Sequence, residues 1–228
     1  MQSIVPSRRI KSFGRVGGRP LSPLQARLVE TELSKIQILE VEEGFAPISI
    51  DNSKKEVWFE IGFGGAEHLI NQAKTNPDVL FIGAEPFLEG VAKAMRAIDS
   101  EKITNIRLIN GDARPILENF QDACLDRIFI LFPDPWPKAR HHKRRLINDE
   151  FVNLLARITK KGAKIRFASD WANYAEEALA CFIKNPEFSW NAQSQKDWNI
   201  PPQDHFTTRY QSKKLGDCEP IFLDFIRL

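Results

Sequence analysis

From Val57 onward, apolar runs of strand length alternate with stretches whose apolar residues recur at helical spacing. Val57 to Ile61 predicts a first strand, then a glycine turn and a helix from about Ala66. Val79 to Ala84 predicts a second strand. Leu88 to Ile98 predicts a helix, with Leu88, Val91, Ala92, Met95 and Ile98 on one face. Ile106 to Ile109 predicts a third strand, followed by a short helix near Pro115 to Asn119. Arg127 to Phe132 predicts a fourth strand, and Asp149 to Ile158 a helix that Gly162 is expected to end. Ala163 to Ala168 predicts a fifth strand, Trp171 to Lys184 a helix, and Pro220 to Ile226 a last strand. Upstream, Leu24 to Leu39 has a weaker helical pattern, and Asn52 to Glu56 is a polar lead-in. Strands alternating with helices predict an α/β fold: a mostly parallel sheet with helices on both faces.

The 228 residues, 43% of them hydrophobic, are enough for one full core. The expected organisation is a single domain over 24–228 behind a flexible basic arm, 1–23. That arm holds Arg8, Arg9, Lys11, Arg15 and Arg19 and no acid before Pro20. Its Pro and Gly residues argue against an amphipathic targeting helix. Cys124, Cys181 and Cys218 are odd in number and scattered, which points to reduced thiols and a cytoplasmic setting. No segment has the apolar length of a membrane span, so no membrane partner is expected. The net charge of +2 excludes a basic coat protein. The charge is clustered instead. Lys138 to Arg145 holds five Lys/Arg and two His in eight residues, a pattern suited to a phosphate backbone. His141 and His142 lack a third ligand at any metal spacing, so no metal site is expected.

The candidate chemistry sits at strand ends. Glu60, Gly62 and Gly64 frame the turn after the first strand, where glycines admit a ligand close to the backbone. Glu85, at the end of the second strand, suits the two ribose hydroxyls of an adenosine. Asp112, after the third, suits either the exocyclic amine of adenine or an ordinary helix cap. Glu60 and Glu67 flank the turn and would repel a pyrophosphate. They therefore favour a cationic, phosphate-free adenosine cofactor, S-adenosylmethionine, over a nicotinamide dinucleotide. After the fourth strand, Pro133-Asp134-Pro135-Trp136-Pro137 sets an acid and an indole on a stiff loop. Asp134 can hold a base or the cofactor's ammonium. Trp136 can stack on a base or serve as core. Asp170, past the fifth strand, can orient a base or cap the next helix. A non-catalytic RNA-binding protein stands as a further alternative, against which the cluster of acids argues.

At these residues the chain closely resembles the bacterial tRNA (guanine-N7)-methyltransferases. The resemblance is carried by Ser12-Phe13-Gly14-Arg15 with Gly18-Arg19, Glu60 to Gly64, Gly83 to Phe87 with Gly90-Val91, Leu131 to Leu146, Ser169-Asp170 with Tyr174-Ala175, and Thr208-Arg209-Tyr210. It implies a class I methyltransferase (Rossmann-like) fold and transfer of a methyl group from S-adenosylmethionine to N7 of a guanosine in the tRNA variable loop. It implies Glu60, Glu85, Asp112 and Asp134 as cofactor residues, and Lys138, Asp170, Thr208, Arg209, Tyr210 and Gln211 as substrate contacts. The chain departs from the family pattern at Ala66 (usually Gly), Ser169 (usually Thr) and Gln211 (usually Glu). Guanine N7 carries its own lone pair, so Asp134 is expected to position and stabilise charge, not to act as a general base. Monomer and homodimer both fit the sequence.

Overall fold

The computed structural model describes residues 20–39 and 41–228. Most of the expected basic arm, including Ser12 to Arg15 and Gly18-Arg19, lies outside the described residues. Helix α1 (Pro23–Thr31) starts where the arm was expected to end. Ser22 caps it in a reciprocal box with Gln25, and Pro23 takes the first turn. The single helix expected over Leu24 to Leu39 breaks at Glu32, and α2 (Leu33–Ile36) follows.

Then come β1 (Glu56–Ile61), α3 (Glu67–Thr75), β2 (Val79–Ala84), α4 (Leu88–Glu101), β3 (Ile106–Ile109), α5 (Ala113–Glu118) and β4 (Leu125–Leu131). After them run α6 (Asp149–Ile158), β5 (Thr159–Ser169), α7 (Ala172–Lys184), β6 (Phe188–Trp190), α8 (Lys196–Asn199) and β7 (Ile221–Arg227). The sheet order is β3-β2-β1-β4-β5-β7-β6. The first five strands are parallel, and β7 inserts antiparallel between β5 and β6. One face packs on α1, α3 and α4 through Leu28, Leu69, Phe81, Val91 and Met95. The other packs on α5, α6 and α7 through Phe59, Leu117, Leu155, Tyr174 and Phe182. The order reverses between β1 and β4, which opens a crevice at the carboxyl ends of the strands.

Two local expectations need correction. Gly162 does not end α6: that helix stops at Ile158, and Thr159 is already extended. Thr159 pairs with Leu125 and Lys164 with Arg127, so residues 160–163 bulge opposite Asp126, with Gly162 at φ +82°. Strand β6 was not predicted, because three residues are too few to carry a pattern.

Helix α4 ends at Lys102, an exposed residue with φ +56° in the left-handed region that favours glycine. Its 3.2 Å pair with Asp99 lies on the surface and contributes little. Lys102→Gly is therefore expected to stabilise the fold by about 0.5–1 kcal/mol. Thermal denaturation checks this, and a lower Tm would refute it.

Candidate functional site

The crevice at the switch point is a cavity of about 330 Å³, lined by the ends of β1, β2 and β4 and the turn after β3. That volume lies at the small end of the range for small-molecule sites, roughly 300–1,000 Å³. Gly62 and Gly64 adopt φ +74° and +55°, which a side chain would strain. Glu85 is buried and latches two turns together. One carboxylate oxygen accepts from the Gly64 N–H at 2.8 Å, the other from the Phe87 N–H at 2.9 Å. Burial is the main reason its pKa lies above the ordinary value. The two N–H bonds oppose that shift, and the charges of Asp134 and Glu60 add to it.

Gly90, on α4, backs the same turn. A Cβ there would collide with the Gly64 carbonyl oxygen and the Glu85 side chain. Gly90→Ala is therefore expected to displace the turn and lower the Tm. Thermal denaturation checks this, and an unchanged Tm would refute it.

Of the two roles expected for Asp112, the helix cap is present: it accepts from the Arg114 N–H at 3.0 Å at the start of α5. Asp112 also lines the cavity. The Arg114 guanidinium also donates to both of its oxygens. Asp134 stands on the opposite wall. No described residue donates to its carboxylate, and desolvation by the cleft raises its pKa. Two aromatic residues on its loop, Phe132 and Trp136, sit at φ +53° and +44°, sparsely populated for bulky side chains. Trp136 is half-buried, with the Arg144 guanidinium 4.9 Å over its ring and His141 edge-on.

Glu60 is placed differently from the expectation of acids at three strand ends on one edge. It is the penultimate residue of β1, and strand alternation turns it to the side of Trp58, beneath α3. There it is 4% exposed and bonds His68 Nδ1 at 2.8 Å. It does not line the cavity, and acts on it through its charge on Glu85.

The basic run 138–145 does not form one exposed track. Residues 139–144 make a 3-10 turn. Lys138, Arg140 and Lys143 are exposed, whereas Arg145 is buried. Its Nε donates to the Pro135 carbonyl at 2.9 Å, its guanidinium pairs with Glu177, and it lies 4.8 Å over the Tyr174 ring. Arg145 therefore clamps the Asp134 loop to α7.

A second cavity lies beside the first and is lined by Asp170, Thr207, Gln211, Gly216 and Phe222, among others. Asp170 is buried and does not cap α7: the Asp217 carboxylate accepts from the Ala172 N–H instead. One Asp170 oxygen accepts from the Tyr210 hydroxyl at 3.4 Å, and the other is buried without a partner among the described residues. Phe132, which lines the first cavity, lies 6.5 Å from the ring of Phe222, which lines the second, and 5.6 Å from the Tyr210 ring. Thr208 Oγ1 accepts from the Gln211 N–H. Arg209 is exposed and Lys138 lines neither cavity.

The segment carrying Thr208 to Gln211 is hung from the sheet by Asp204. That carboxylate accepts at 2.6 Å from Arg127 of β4 and from Arg166 of β5. Burial alone would raise its pKa, but the two guanidiniums outweigh it and pull it down to about 2. Asp204 and Arg114 were not foreseen from sequence, and Arg145 was expected only as part of the phosphate-binding run.

A family model described as "Putative methyltransferase" matches residues 54–222. A Hyphomonas neptunium protein named tRNA (guanine-N(7)-)-methyltransferase is 51% identical over 216 residues, spanning 95% of this chain and 99% of that protein. A Caulobacter vibrioides protein of the same name is 50% identical over 222 residues, spanning 97% of each. Among solved structures, the 16S rRNA methyltransferase KamB matches with a TM-score of 0.55 at 12% identity, over 82% of this chain and 96% of that one. That likeness concerns the fold: a class I methyltransferase sheet with its helices.

Proposed function

The chain belongs to the tRNA (guanine-N7-)-methyltransferases, and from that premise we propose that it methylates N7 of a guanosine in the tRNA variable loop, using S-adenosylmethionine, in the cytoplasm. The observation that carries the cofactor reading is the charge of the first cavity. Glu85, Asp112 and Asp134 line it together with two arginines; Arg114 is paired with Asp112 and Arg144 lies over Trp136, whereas Asp134 has no counter-ion among the described residues. The unpaired acid leaves a place for a ligand bearing an ammonium and a sulfonium. S-adenosylmethionine supplies the methyl group when bound.

The residues fit divided roles. Glu85 offers its remaining lone pairs to ribose hydroxyls while it holds the Gly64 turn. Asp112, kept in place by Arg114, accepts from the adenine amine. Gly62 and Gly64 let the backbone approach the ligand. Glu60 contributes charge from beneath α3. Guanine N7 presents an in-plane lone pair, so no residue has to remove a proton first. As N7 is methylated the purine becomes cationic, and the Asp134 carboxylate favours that charge. Asp170 and the Thr208–Gln211 segment orient the base, with the unpartnered Asp170 oxygen suited to guanine N–H donors. Lys138, Arg140, Lys143 and Arg209 are exposed cations suited to the tRNA backbone.

The test is to incubate the protein with labelled S-adenosylmethionine and unmodified tRNA, then map the label. The expected product is 7-methylguanosine in the variable loop. A label on another atom or in another loop would overturn the assignment. Binding of a nicotinamide dinucleotide in preference to S-adenosylhomocysteine would overturn the cofactor reading.

A further inference from the structure

We propose that His68 and His205 act as joined positioning residues, bridged through one water, that tie Glu60 beneath the cofactor end of the site to Gln211 at its tRNA end. The proposal rests on the function proposed above and adds two residues to it.

The first half of the link is Glu60 with His68. A carboxylate that is 4% exposed needs a donor, and the His68 Nδ1–H supplies one at 2.8 Å. The second half is His205 with Gln211. Here the imidazole Nε2 lies 2.7 Å from the amide oxygen, so Nε2–H is the donor and Nδ1 is left as an acceptor. Burial is the largest influence on His205 and lowers its pKa; the bond to Gln211 opposes that shift and the charge of Arg166 adds to it. A neutral ring at physiological pH follows.

Each ring keeps one buried nitrogen without a partner among the described residues: Nε2 of His68 and Nδ1 of His205. Buried polar atoms are seldom left so. The two rings are neighbours, 6.2 Å apart between centres and 33° from coplanar. With both rings neutral the two free nitrogens are acceptors, so a direct bond between them has no proton to share. One water between the rings, donating one hydrogen to each nitrogen, completes the bridge. Phe129 and Phe222 lie edge-on to the rings at 4.6 and 4.7 Å. The bridged chain runs from Glu60, whose charge acts on Glu85, to Gln211 on the second cavity wall.

The chain has four histidines, so nitrogen-15 NMR of the imidazoles in the full-length protein is assignable by single substitutions. His205→Gln is expected to move the ring-nitrogen signals of His68 and leave those of His141 and His142 in place. Unmoved His68 signals would overturn the bridge. Gln211→Ala offers a second, milder perturbation, expected to move the signals of both His205 and His68. In turnover, His68→Gln and His205→Gln are each expected to raise the KM for tRNA about tenfold, the scale of one lost buried hydrogen bond. The double variant should rise no further than either single one, whereas an increase of about a hundredfold would mean independent residues. A protein that methylates a different nucleotide would sink the assigned function, and the NMR result would still decide the bridge.

Discussion

Asp134→Asn is expected to reduce methyl transfer by about two to three orders of magnitude, the scale of losing one preorganised electrostatic contact in an active site, while the Tm stays level or rises slightly. The two halves of this prediction have one cause. The carboxylate has no donor among the described residues, and the cleft partly desolvates it, so its pKa is raised. A carboxylate whose folded pKa exceeds its unfolded one makes the fold less stable as pH rises through that range. Neutralising it removes the penalty along with the charge proposed to favour a cationic purine. Stability and turnover should therefore move in opposite directions, and the stability difference should vanish at acid pH, where Asp134 is protonated in both states. Single-turnover methylation and thermal melts at two pH values check this. Full turnover in the variant would remove Asp134 from the chemistry.

Arg145→Lys is expected to lower turnover at least tenfold and to leave the salt dependence of tRNA binding unchanged. Lys143→Ala, two residues away, is expected to do the reverse. Arg145 spends its planar fork on the Pro135 carbonyl and on Glu177, and its face on Tyr174. A lysine cannot reproduce all three contacts. The clamp matters because the loop it holds contains two aromatic residues at positive φ, which persist only when the surroundings fix them. Lys143 is exposed and suits a phosphate contact. Its loss should weaken tRNA binding and reduce the slope of log affinity against log salt by about one. A change of slope in Arg145→Lys would return that residue to the phosphate track.

The parallel strands were readable because strands buried on both faces are continuous apolar runs; β2 is buried at every position. That Glu85, Asp112 and Asp134 would meet at one cavity was readable because they end such runs. The orientation of Glu60 was also encoded, since it shares the parity of Trp58 in β1. The run 138–145 hid more. A linear count of charges does not say which guanidinium turns inward, and Arg145 differs from Lys143 through contacts 32 residues away on α7. Asp204 and His205 had no local signal at all. Their partners, Arg127, Arg166 and His68, lie in three separate elements that meet only in the fold.

The position of β7 divides the two cavities in what they depend on. It is the last strand in sequence and an interior strand in space, hydrogen-bonded to β5 on one side and β6 on the other. The strands that shape the first cavity, β1 to β4, all precede residue 132. The Thr208–Gln211 segment leads into β7, whose Phe222 lines the second cavity beside Gln211. Local opening of β7 would therefore dismantle the second cavity while the paired strands β1 to β4 keep the first in shape.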